Sequence, residues 1–330
     1  VSESLLRGGL SATGNTTLRI GNRNLNTAFL GSINNGTNKV LSLTKIGTGT
    51  LTLGGPNNYT GPTLVSSGVL AINGAHGSSP ITVANGGTLA GSGSLGGTVT
   101  VQNGGNLSPG DAVGTLTTQQ STTLQSGATL RIEIDRSTNS ADKLIVNGAL
   151  QVNGTLLVTK LAGEFSYGET FTLFQATSLS GSFSTVTLPT LPTGMYWNTS
   201  LVNTGVISIL GYADSWRKQY FNTVSNTGNA ADLADPDGDG IVNLLEYATM
   251  TDPSSHNPQG HTLIKNGGIM TFTYTKNPHA TDVTYIVEWN DTLTGNWSSE
   301  GVSEQADGNA ITATIPAGTA TRFVRLRVQR

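Results

Sequence analysis

The chain has 330 residues, a formal net charge of −3, 11% charged residues and no cysteine. That length suits two or three domains, each with a core of its own. The composition excludes disulfides, thiolate chemistry and a basic nucleic-acid surface, and no apolar run reaches the ~18 residues of a membrane-crossing helix.

Glycine contributes 43 residues, and no Asp, Glu, Lys or Arg occurs between Lys45 and Asp111. Thr, Ser, Asn and backbone must solvate that stretch. The chain opens at Val1 without a Met and without the charged-then-apolar pattern of a signal peptide, and reads as a mature or processed form. Residues 1–24 read as a strand-like segment, expected to cap the repeats after it or to pair with a neighbouring molecule.

Residues 25–210 carry an internal repeat. "ITVANGGTL" (81–89) recurs as "VTVQNGGNL" (99–107), 18 residues later. Looser echoes occur at 65–70, 124–130, 144–150 and 150–156. Each places alternating β-branched or Leu residues before an Asn-Gly or Ser-Gly corner, and that period of two is the strand signal. A coil of about 18 to 23 residues with two or three short strands has the size of one β-solenoid rung. The alternative is a run of hairpins, because Asn-Gly is also a favoured hairpin turn. Residues 161–210 carry more aromatic and proline residues and read as the C-terminal cap of the solenoid. Trp197 is expected to be a capping side chain rather than a sugar platform.

"LTKIGTGTLTLGGPNNYTGPTLVSSGVL" (43–70) resembles the autotransporter-associated β-strand repeat of large exported bacterial proteins. The resemblance rests on Gly47, Gly49, Thr50 and Leu51, on the turn at Asn57, Tyr59, Thr60 and Gly61, and on Thr63, Val65, Gly68 and Leu70. Pro62 departs from the pattern, standing where a second Gly is common. The resemblance implies an exported, extracellular or cell-surface protein with β-helical architecture.

After residue 210 the period changes. Trp216, Tyr220 and Val224 fall on one face of a short helix. Next comes "DPDGDGIVNLLE" (235–246), whose Asp235, Asp237 and Asp239 occupy positions 1, 3 and 5 of a twelve-residue calcium loop. Gly240 stands at the sharp turn, Ile241 at position 7 offers its carbonyl, and Val242 at position 8 is expected to be the buried apolar residue. Asn243 at position 9 ligates directly or through water, and Glu246 at position 12 supplies a bidentate carboxylate. Hard Ca²⁺ needs six to eight oxygens, which only alternate residues can bring to one point. The segment is similar to the single loops of dockerins and thrombospondin type 3 repeats. The resemblance implies a structural Ca²⁺ in a helix–loop–helix linker over 211–258 that fixes the angle between the flanking domains.

Residues 259–330 alternate again in at least four strands and predict a small antiparallel β-sandwich. This region resembles a C-terminal module of bacterial surface proteins. Arg325 and Arg327 share one strand face, which reads as a solvated face that discourages edge pairing.

His76, His256, His261 and His279 are scattered, and no nucleophile elbow, zinc-protease helix or phosphate loop occurs. Glu133 and Asp135 share a strand face, the one hint of a polysaccharide-active β-helix enzyme. With Arg136, Asp142 and Lys143 beside them they read instead as a solvated turn. The expectation is mainly β and non-catalytic: a solenoid, a calcium-loop linker and a sandwich that self-assemble head-to-tail into a fibre or layer. The alternative is a non-polymerising adhesion or stalk module that binds glycan or a cell surface, favoured if Trp289 and Trp297 form an exposed aromatic cluster.

Overall fold

The computed structural model describes residues 15–256, 260–266, 268–316 and 321–330. It divides into two compact units. One runs through Pro192 and includes Trp197–Ile209, and the other comprises Thr193–Tyr196 and Leu210–Arg330.

The first unit is a β-solenoid. One face stacks Thr16–Ile20, Leu41–Lys45, Thr63–Val65, Ile81–Val83, Val99–Val101 and Thr122–Leu124 in parallel, and ends on the second half of Lys143–Val152. A second face begins at Thr27–Phe29 and Thr50–Leu53 and ends at Thr155–Ala162 and Thr185–Thr187. A third, shorter face stacks Ala75–His76, Ser94–Leu95 and Thr115–Thr118 on the first half of Lys143–Val152.

The 18-residue repeat is the stacking register. Ile81 pairs with Val99 and Leu89 with Leu107, so equivalent residues lie one above the other. Later coils are longer than the sequence implies: Thr122 pairs with Leu150, 28 residues on, and Leu150 with Leu179, 29 on. The extra length goes into longer strands and into the outward hairpin that pairs Asp135 with Ser140.

A leucine column runs through the second face. Leu51, Leu70, Leu89, Leu107, Leu130 and Leu156 pair in succession and are all buried. Such columns bury apolar area continuously, so each rung is stabilised mainly by its neighbours.

The corners explain why Asn-Gly here turns a coil and not a hairpin. Gly104 (φ +74°) and Gly127 (φ +77°) are left-handed, which favours glycine. A β-carbon on Gly104 would lie 2.2 Å from Asn85 Oδ1, and one on Gly127 would lie 2.0 Å from Asn103 Oδ1. Each asparagine side chain therefore rests on the glycine of the next rung. Backbone bonds follow the same stack, Gly86 N–H to Gly104 O at 3.1 Å and Gly104 N–H to Gly127 O at 3.0 Å.

The repeat at 43–70 has its own logic. Lys45 is only 1% exposed, and its ammonium donates to the carbonyls of Ile46, Gly47 and Ser67. Three charge-assisted bonds offset burial of the cation, although burial still lowers its pKa. Asn57 is buried, accepting from Ile33 N–H and donating to Gly55 O. Tyr59 is buried with its hydroxyl 2.7 Å from Thr63 Oγ1, which in turn meets Ser79 Oγ at 2.9 Å. Gly61 admits no side chain, since a β-carbon would sit 2.4 Å from Leu41 O. The motif is thus a set of corner and core requirements for stacking rungs.

At its C-terminal end the solenoid carries the strands Thr170–Thr172, Trp197–Asn198 and Val206–Ile209, paired antiparallel. Trp197 meets Phe165 edge-on at 5.3 Å and Phe171 at 6.0 Å, and its indole N–H donates to Pro189 O. The ring lies in the aromatic cap, where the sequence places it.

In the second unit, helix α1 (Tyr212–Phe221) ends where Asn222 takes a left-handed φ of +53°. It is shorter than the apolar spacing suggests, and Val224 lies beyond it, exposed. Helix α2 (Asn243–Thr249) follows the acidic loop. Trp216, Leu244, Tyr247 and Ala280 form one small core. A four-stranded antiparallel sheet orders His261–Asn266, Ile269–Thr275, Ala310–Ile315 and Ser303–Asp307, and Thr284–Asn290 pairs with Phe323–Gln329 in a second. Met270, Phe272, Tyr274, Val287, Ile311, Ala313 and Ile315 unite these two sheets in one core.

Candidate metal centre

The acidic loop is held open by its own backbone. Asp235 accepts from Gly238 N–H at 2.9 Å and Gly240 N–H at 3.0 Å, Asp237 from Asp239 N–H, and Asp239 from Ile241 N–H. Gly238 (φ +75°) and Gly240 (φ +89°) make the left-handed turns that wrap the chain around a point. One carboxylate oxygen each of Asp235, Asp237 and Asp239 lies within 4.8 Å of the others. The alternate spacing therefore brings these three carboxylates together.

Glu246 lies outside that group of converging oxygens, and its surroundings are a separate observation. It is completely buried on α2, and neither carboxylate oxygen has a hydrogen-bond partner among the described residues. Asp237 Oδ2 is likewise buried and unpartnered. Burial first, then the negative charge of Asp237, Asp239 and Asp235, pushes the Glu246 carboxyl up to about 7. A buried carboxylate without donors is costly unless a proton or a cation neutralises it.

One neighbour, Val242, differs from the sequence reading. The buried apolar residue of the loop is Ile241, while Val242 is only half-buried. Asn243 turns its amide toward the preceding segment, donating to Asn229 O at 2.8 Å and Ala231 O at 2.7 Å, and its Oδ1 is buried without a partner. Its visible work is to tie the loop's exit to the chain that enters it.

A charge network anchors this region inside its unit. Asp232 accepts from Arg217 at 2.7 Å and from Arg330 at 2.8 Å, and Arg330 also reaches Asp282. Asp282 in turn accepts from the Tyr247 hydroxyl at 2.5 Å. No single residue pattern foretold this network, because its members lie up to 98 positions apart.

The other candidate groups do not assemble. Glu133 and Asp135 point outward from Thr129–Asp135, and Asp135 is engaged by Ser137 N–H and Oγ. Asp142 corrects the solvated-turn reading: it is fully buried, accepting from Gly114 N–H and Glu133 N–H at 2.8 Å each. Burial pushes its carboxyl up to about 7 despite these donors. His76 is 3% exposed against Tyr59, both ring nitrogens lack partners among the described residues, and burial depresses its pKa to about 4.

Arg325 and Arg327 both pair with Glu288 of the adjoining strand. The Arg322 guanidinium stacks 3.7 Å over the Trp289 ring and that of Arg325 4.3 Å over the Trp297 ring. One face of each indole is therefore occupied.

Residues 43–72 match the Passenger-associated-transport-repeat family. The match spans the strands from Leu43 to Ile72, about one and a half coils of the solenoid. A search of curated proteins finds no match. No helix among the described residues is long and apolar enough to cross a membrane.

Proposed function

We propose that the chain is an exported bacterial structural protein that self-assembles head-to-tail outside the cell, with one Ca²⁺ holding the loop of its C-terminal unit. Export and the β-helical character follow the passenger-associated repeat. The self-assembly reading is carried by the strand edges. Among the described residues, Thr16–Ile20 and Thr27–Phe29 have no strand partner on their outer sides, and neither do Phe174–Gly181, whose start packs against Gly205, and Thr185–Thr187 at the other end. These edges belong to the same two faces, so the last rung of one copy can continue into the first rung of the next. Exposed Leu25 and Leu30 beside the first rung add apolar area to such a contact.

The calcium reading rests on three converging aspartates and on the nearby buried, donor-less Glu246, whose carboxyl feels their negative charge. Ca²⁺ matches a set of hard carboxylate oxygens with a backbone carbonyl at Ile241. Extracellular modules of this kind bind at about 10⁻⁴ to 10⁻³ M, so the ion acts as a structural clamp. The adhesion alternative draws less support, because one face of each indole is already occupied by Arg322 or Arg325. The non-catalytic reading draws on the outward, unconverged Glu133 and Asp135.

Negative-stain electron microscopy of the purified chain at millimolar calcium tests the assembly. Filaments or sheets that disappear in the double variant Thr17→Pro, Ala28→Pro support it, since these two amides face the open edges and proline blocks an edge ladder. Isolated particles at every concentration overturn it.

A further inference from the structure

We infer that the C-terminal unit carries a docking groove for an extended polypeptide segment that alternates apolar and acidic residues. Its template is the outer edge of Phe323–Gln329 and one wall is the metal loop. The inference goes beyond the assembly reading but rests on the calcium reading for that wall.

The two sheets of this unit are unequal. Four strands lie on one side of the core and two on the other. Phe323–Gln329 pairs only with Thr284–Asn290, and its second edge has no strand partner among the described residues. The wider sheet is left uncovered opposite that edge. His261, Leu263 and Lys265 pair with Tyr274, Phe272 and Met270 and so share their core-facing side, yet all three are exposed. A cavity of about 330 Å³ occupies the gap, lined by Ile241, Leu245, His261, Phe272, Val324 and Leu326 among others. A strand laid along the free edge would complete the narrow sheet and close this cavity, as in β-strand addition.

The sequence of the edge strand sets the chemistry of the occupant. Val324 and Leu326 turn to the core, while Arg325 and Arg327 turn outward and are only partly covered. Those two guanidinium groups share the one carboxylate of Glu288, leaving one positive charge uncompensated. A neighbouring strand repeats the in–out alternation, so apolar side chains enter the cavity and acidic ones meet the arginines. Ile241 and Leu245 come from the metal loop and α2, so a metal that holds the loop steadies this wall of the groove.

Selection of a phage-displayed random heptapeptide library on the full chain, with and without calcium, tests this. Alternating apolar and Asp/Glu sequences are expected to be enriched, to bind at least tenfold more weakly to Arg325→Glu, and to weaken on chelation. Circular dichroism verifies the fold of that surface variant. A second variant, Thr249→Trp, narrows the cavity and is expected to reduce binding of the same peptides. No enrichment over an unrelated protein, or binding by both variants as tight as by the unaltered chain, overturns the groove. Terbium luminescence on the same protein separates the two readings. Metal bound without peptide selection sinks the groove alone, whereas selected peptides that bind without any metal uptake uphold the groove and sink the calcium reading.

Discussion

The two units of this chain reach stability by opposite means. The solenoid builds almost everything between neighbours: Leu89 touches its rung-mates 19 residues back and 18 ahead, and a long run of its surface carries no charge. The C-terminal unit depends on a few long-range polar ties, with Arg330 reaching Asp232 across 98 positions. A repeat lets many small, equivalent apolar contacts add up between neighbouring rungs. A short non-repeating unit needs specific partners, and each must be satisfied.

The comparison is broken most severely inside the leucine column. Leu89→Ala is expected to cost about 4 kcal/mol, because the cavity lies between fixed rungs that cannot collapse. Leu326→Ala, at the half-covered edge, is expected to cost less than half of that. Urea denaturation of each variant checks the ratio, and equal losses would contradict the contrast in packing.

Acid separates the units next. His76 titrates at about 6.5 when unfolded and about 4 in the solenoid. The unfolded chain therefore takes up the proton first, so the solenoid is stable above pH 6.5 and weakens as pH falls toward 4. The full loss is about 3 kcal/mol by linkage. His76→Leu is expected to remove this slope, as read by melting temperature against pH. Asp142 has the opposite sign: its carboxyl is raised to about 7, so its contribution is complete below pH 3.8 and is lost as pH rises through 7. Asp142→Asn is expected to flatten the decline on that side.

Metal acts on the other unit. Calcium at a hundredfold excess over its dissociation constant is expected to stabilise the C-terminal unit by about 2.7 kcal/mol. Differential scanning calorimetry should show that transition moving with calcium while the solenoid transition stays in place. Glu246→Ala should abolish the shift. A calcium shift in the solenoid transition alone would contradict the assignment.

The smallest effect belongs to the basic stripe. Arg327→Ala leaves Glu288 its bond to Arg325, and the stability change is expected to stay under about 1 kcal/mol. A larger loss would mean that this strand face is more than a solvated edge.

What the sequence determined by itself is whatever local chemistry repeats or converges over a few residues. The 81–89 and 99–107 repeat is the stacking register, the motif at 43–70 is a set of corner constraints, and the alternating aspartates meet within one loop. Trp197 is legible as a cap because a bulky residue among prolines has no place in a regular rung. Tertiary structure decided the rest. Asp142 is buried because Gly114 and Glu133 bring their amides to it from different coils. Val242 and Ile241 exchange the expected roles because the core around the loop, and not the loop alone, chooses which apolar side chain to cover. The network of Arg217, Asp232, Arg330, Asp282 and Tyr247 left no trace in spacing. Local backbone geometry is written in neighbouring residues, whereas the desolvation of a charge depends on partners that only the folded chain brings near.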